Sequence, residues 1–144
     1  MRRTLALTLG AAMALILAIP VSAEQGTQSW LTPVAGAGKG RVLISPTAQD
    51  VDFYAQGQVE IEGAPANTTM SVSRAVFSDP TCSTMTRPWA PVAPGSFTTN
   101  AAGAGHMHFV RDTTNPSGST FYTMLRVSGG GTLLQTSCIA VYVK

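Results

Sequence analysis

Two histidines, His106 and His108, flank Met107, and this trio has the clearest chemical potential in the chain. On a β-strand residues i and i+2 project to one face, so both imidazoles share a side while Met107 and Phe109 turn to the core. That spacing serves metal sites in β-proteins, which need a third and fourth ligand. The chain has no other histidine, which leaves carboxylates such as Asp112 or methionine sulfurs to complete a site. The competing reading is a pair of solvent-facing histidines on a polar sheet face. Two acidic pairs, Asp50 with Asp52 and Glu60 with Glu62, have the same alternate spacing. Paired carboxylates act as glycosidase acid and nucleophile or as calcium ligands. On a solvated strand face they also do plainer work, opposing edge-to-edge aggregation.

Other constellations are weaker. Gly36-Ala37-Gly38-Lys39-Gly40 superficially resembles a phosphate loop, but Val42-Leu43-Ile44 follows as a strand where such a loop opens a helix. No Gly-x-Ser-x-Gly occurs, and both cysteines are expected in a disulfide, so no nucleophile stands out and the expectation is a protein that is not an enzyme. No cofactor is implied. Ser78 to Gly95 holds Pro80, Pro88, Pro91 and Pro94 together with Cys82, Met85, Arg87 and Trp89. It reads as a long loop stiffened by proline, with Met85, Arg87 and Trp89 as partner-binding residues and Trp89 as the anchor. The alternative is that Trp89 folds back as a lid over the end of the fold.

The elements that would position these residues are strands. From Asp50 to Glu62, Val51, Phe53, Ala55, Val59 and Ile61 alternate with Asp52, Tyr54, Gln56, Gln58 and Glu60, the signature of a half-buried strand or of two strands bent at Gly57. Val42 to Ser45, Met70 to Phe77, Phe97 to Thr99, Met107 to Arg111, Phe121 to Val127 and Thr132 to Val143 make up the remaining candidates, each bounded by turn residues. Gly129-Gly130-Gly131 predicts a hairpin between the last two. Beyond the N-terminal apolar run no window has helical periodicity. The expected class is all-β, an immunoglobulin-like β-sandwich of about seven strands rather than an up-and-down barrel.

Met1-Arg2-Arg3, the apolar run Leu5 to Ile19 and the small residues Val21-Ser22-Ala23 have the order of a signal peptide, with cleavage predicted after Ala23. The expected organisation is residues 1–23 as signal peptide, 24–40 as a flexible lead-in and 41–144 as one domain, secreted and without a membrane anchor after cleavage. The net charge is +2; removing Arg2 and Arg3 from nine basic residues leaves seven, against seven acidic ones. A neutral domain lacks the clustered cations that bind nucleic acid, so that partner is not expected. In an exported chain Cys82 and Cys138 are expected to pair, with stabilisation of roughly 4 kcal/mol in the chain-entropy picture.

Gly63-Ala64-Pro65-Ala66-Asn67-Thr68-Thr69-Met70-Ser71-Val72 resembles the turn and strand of fibronectin type III and related exported bacterial immunoglobulin-like domains, in which Gly-Leu-x-Pro-Gly-Thr-x-Tyr-x-Val recurs. Thr68 and Val72 match, and Met70 stands at the place of the corner tyrosine. Phe97 to Gly105 is similar to the strand, Asx-Gly turn and strand of such modules. The resemblance implies a sandwich and export, and Asn67 is read as a turn residue. The combined expectation is an exported non-catalytic module that binds a cell-envelope polysaccharide or an extracellular protein through Trp89, Arg87 and Met85; the alternative is a secreted metal-binding protein using His106 and His108.

Overall fold

A computed structural model describes residues 26–48, 53–113, 116 and 118–143. The signal-peptide reading, Asp50 and Asp52 lie outside them. Among the described residues there is no helix, and nine strands run β1 (Thr27–Ala35), β2 (Lys39–Ala48), β3 (Phe53–Glu62), β4 (Thr69–Phe77), β5 (Met85–Thr98), β6 (Gly105–Thr113), β7 (Thr120–Gly129), β8 (Thr132–Thr136) and β9 (Ile139–Tyr142). The all-β class is as the sequence indicated.

All strand pairs are antiparallel, and the order β5-β4-β7-β8-β1-β2-β3-β6 joins them into one sheet, with β9 continuing beside β7 where β8 ends. The sheet curls into a nearly closed barrel whose ends are β5 and β6. Alternation explains the curl. Ala55, Val59 and Ile61 of β3 are buried while Gln56, Gln58, Glu60 and Glu62 point outward, and β2, β6, β7, β8 and β9 alternate likewise, whereas β4 changes phase between Val72 and Ala75 and β5 buries Val92 alone. Their inner residues form one core that includes Leu31, Val42, Met70, Val92, Met107 and Leu125, drawn from both ends of the strand order. A single apolar face can cover itself only by wrapping around its own interior.

Several elements differ from expectation. The expected sandwich of about seven strands has two separate sheets; nine strands here share one. Thr27–Ala35, read as lead-in, is a strand paired with β2 on one side and β8 on the other. Thr27, Trp30, Thr32 and Val34 are strand-favouring types, and two-sided pairing with burial of Ser29 and Leu31 fixes the stretch as a strand despite its flanking glycines. Ser78 to Gly95 is a loop only to Thr84, because Met85 begins β5. Its prolines fit a strand that pairs on one side alone, where a missing N–H leaves no ladder bond unmade. The last candidate strand is two, β8 and β9, interrupted at Ser137 and Cys138. At that break the Thr136 hydroxyl accepts the Leu125 N–H at 3.0 Å, replacing a ladder bond with a buried side-chain one.

Cys82 and Cys138 are joined across 56 positions with their Cα atoms 5.6 Å apart, as expected from two cysteines in an exported chain. The bond ties the β4–β5 loop to the β8–β9 break. Asp79 organises that loop, accepting hydrogen bonds from the Thr81 and Ser83 backbone N–H groups at 3.0 and 3.1 Å and from the Thr84 N–H at 2.6 Å. The Thr81 hydroxyl, then the Thr84 and Ser83 amides and the Ser83 hydroxyl, hold its carboxyl well below the usual carboxylate range. At the end of the barrel the turns at 63–68 and 99–104 dock on each other through Ala64 N–H to Gly103 O, 3.1 Å, and Thr99 N–H to Thr68 O, 3.0 Å. Asn67 sits in its turn at φ 49°, in the left-handed region that Asn tolerates.

Candidate binding face

On β1, Ser29 and Leu31 point inward, which turns Trp30 outward, where it is 63% exposed. Register then decides its neighbours. Trp30 pairs with Arg41 on β2, Arg41 with Glu60 on β3, and Glu60 with His106 on β6. One row of outward side chains therefore runs Trp30, Arg41, Glu60, His106 across four consecutive strands. The parallel row one step away carries Gln28, Leu43, Gln58 and His108.

These groups hold each other. The Arg41 Nε donates to the Glu60 Oε2 at 2.6 Å, Gln58 donates through Nε2 to the other Glu60 oxygen, and Lys39 lies 3.1 Å from Glu62. Both ion pairs are solvent-accessible, so their value is in orienting side chains more than in stability. The imidazoles of His106 and His108 meet edge to face, with centroids 5.9 Å apart. Trp30, Lys39, Arg41, Glu60, Glu62 and Ala104 line a shallow depression. It continues through Glu60 into a second one lined by Gln58, Asn100, His106 and His108. Asn100 forms this border because its Oδ1 accepts the Ala102 and Ala104 N–H groups at 2.9 and 3.0 Å, fixing the turn that leads into β6.

Chemically the face offers one apolar aromatic plane beside fixed donors and acceptors. The histidines do share a face, as their spacing required. Among the described residues, however, no group of three or more His, Cys, Asp and Glu is placed to hold a metal. Glu60, the carboxylate nearest in register, is engaged by Arg41 and Gln58. The side chain of Asp112 lies outside the described residues. Glu60 and Glu62 each face a cation, unlike two carboxyls flanking a scissile bond.

Met85, Arg87 and Trp89 are elsewhere, on β5, separated from β1 in the sheet by β4, β7 and β8. Met85 and Arg87 are exposed at the start of that strand. Trp89 is neither the anchor of a loop nor a lid over the barrel's end: it lies on the outer surface with the Arg126 guanidinium 3.8 Å over its ring, and Arg126 donates from Nε to the Gln135 Oε1 at 2.6 Å. A stacked cation already occupies one ring face. Sequence reasoning passed over Trp30, Lys39, Arg41 and Gln58. The available signal was the step from Ser29 through Trp30 to Leu31, which puts a Trp on the polar phase of a short alternation.

Comparison with known protein families, characterised proteins and solved structures finds no match for this chain. The segment that resembles the fibronectin type III pattern, Gly63 to Val72, joins β3 to β4, and the one similar to exported immunoglobulin-like modules, Phe97 to Gly105, joins β5 to β6. Met70, at the corner-tyrosine position, is fully buried. Among the described residues no helix is long and apolar enough to cross a membrane.

Proposed function

We propose that this protein is an exported, non-catalytic binding module whose contact surface is the outer face of β1, β2, β3 and β6, anchored at its β1 side by Trp30. The observation that carries this reading is the row Trp30, Arg41, Glu60, His106. An exposed indole is the largest single gain in apolar burial available on that face, about 2 kcal/mol if roughly 80 Å² is covered. Its neighbours are polar groups already restrained by one another, so binding orders little that is free. The signal-like N-terminus and the disulfide support export, where a paired cysteine persists. The immunoglobulin-like description is not needed for this reading, because the nearly closed sheet presents its outer surface rather than loop ends. His106 and His108 enter as hydrogen-bonding members of the face rather than as a metal pair.

The test compares retention of the purified protein on envelope preparations of its own host. Trp30→Ala is expected to melt within a few degrees of the wild type and to lose most retention, while Trp89→Ala keeps it. Equal retention of wild type and Trp30→Ala would remove this face from consideration.

A further inference from the structure

Resting on that reading, we infer that the ligand of the Trp30 face is a neutral polysaccharide chain lying across the strands from Trp30 towards His106. Three features of the face favour this class. The first is charge. Arg41 is paired with Glu60 and Lys39 with Glu62, so cations and carboxylates alternate across neighbouring strands with no excess of either sign. An acidic polymer would meet Glu60 and Glu62 wherever it met Arg41 and Lys39, and a basic one would meet the reverse. A neutral chain meets no repulsion.

The second is the mixture of groups. A pyranose has an apolar face of C–H bonds and an equatorial rim of hydroxyls, each hydroxyl both donor and acceptor. Trp30 supplies the flat apolar plane, while Arg41, Gln58, Glu60 and the two imidazoles supply donors and acceptors within one or two strand spacings. Protein partners favour the opposite arrangement, an apolar centre depleted of charge with a polar rim. Here an ion pair, Arg41 with Glu60, occupies the centre and the aromatic residue stands to one side.

The third is extent. Neighbouring strands lie about 4.8 Å apart, so the row from Trp30 to His106 spans roughly 14 Å of continuous hydrogen-bonded sheet. That length takes several sugar units in an extended chain and far exceeds a monosaccharide. The ordered turn at Asn100 closes the far border.

The experiment titrates the secreted protein with cellohexaose, laminarihexaose and chitohexaose, using polygalacturonate as the acidic comparison, with indole emission and calorimetry as readouts. In parallel, retention on host envelope is measured after protease digestion and after periodate oxidation, which cleaves the vicinal diols of 1,4- and 1,6-linked hexoses, while 1,3-linked and 2-acetamido chains, which lack them, are covered by the oligosaccharide titrations. The expected result is binding of a neutral oligosaccharide, or envelope retention that periodate abolishes and protease leaves. It should be insensitive to salt, weakened about tenfold or more by Trp30→Ala and partly restored by Trp30→Phe. Binding confined to polygalacturonate and lost at high salt would overturn the neutral ligand. Retention that needs Trp30 but is lost to protease and not to periodate would overturn the polysaccharide while leaving the binding face standing. Retention indifferent to Trp30 would remove both.

Discussion

Gly57 shows how one residue's identity is set by a neighbour distant in sequence. It sits mid-strand in β3, directly opposite Phe109 on β6, and an added Cβ would lie 1.9 Å from the ring's Cζ. The glycine read from sequence as a possible bend is thus a space left for an aromatic ring inside the barrel, and β3 runs through it unbroken. Gly57→Ala is expected to destabilise by about 1–3 kcal/mol, as overpacking does, measured as a shift of the urea midpoint at unchanged m-value. A midpoint equal to that of the wild type would mean that the ring relocates without cost. The inward position of Phe109 was legible from its alternation with His108. What lay across from it was not, because register belongs to the pair of strands and not to either one.

At the scale of elements, the β4–β5 loop is the best-defined irregular segment, and its order comes from Asp79 and the disulfide. The Asp79 carboxylate is depressed in the folded protein below its ordinary value of 3.8, by the Thr81 hydroxyl first. A depressed acid stabilises the fold when ionised: the contribution is complete above the unfolded value and is lost as pH falls through the folded one. Asp79→Asn is therefore expected to melt below the wild type at neutral pH, with the gap constant down to about pH 4 and narrowing below it. The carboxylate is solvent-exposed, so a modest gap is expected, and thermal melts of both proteins across pH read it. A gap that does not change with pH would show that the charge is not its source. The loop's proline content was visible in the sequence, as was the cysteine pairing. That Met85 onward is strand was not, since prolines are excluded from central strands but not from an edge, and edge status depends on the whole sheet.

For the molecule as a whole, stability should grade with position in the strand order. β7 pairs with β4 on one side and with β8 and β9 on the other, whereas β5 and β6 end the order. Amides of β7, including Leu125 and Val127, are expected to exchange only on global unfolding, and those along the outer edges of β5 and β6 by local opening. Hydrogen exchange resolved by residue checks this, and uniform protection across all nine strands would contradict a sheet with open ends. The near-closed shape also explains why the outer face of β1, β2, β3 and β6 is so regular: adjacent strands in continuous register place every second side chain in a row.

The sequence alone determines what is local or counted. Period-two alternation from Ala55 to Glu62 specifies which side chains of β3 face inward, two cysteines admit one pairing, and the spacing of His106 and His108 puts them on the same side. Tertiary structure alone decides which strands become neighbours. Backbone hydrogen bonds, which join strands, are the same for every residue type but proline, so nothing in Thr27 to Ala35 announces that it lies between β2 and β8. In the sequence Trp30 is only half of the one large apolar pair, with Leu31, of a polar N-terminal stretch; the pairing sets it beside Arg41 and, through Arg41 and Glu60, in line with His106.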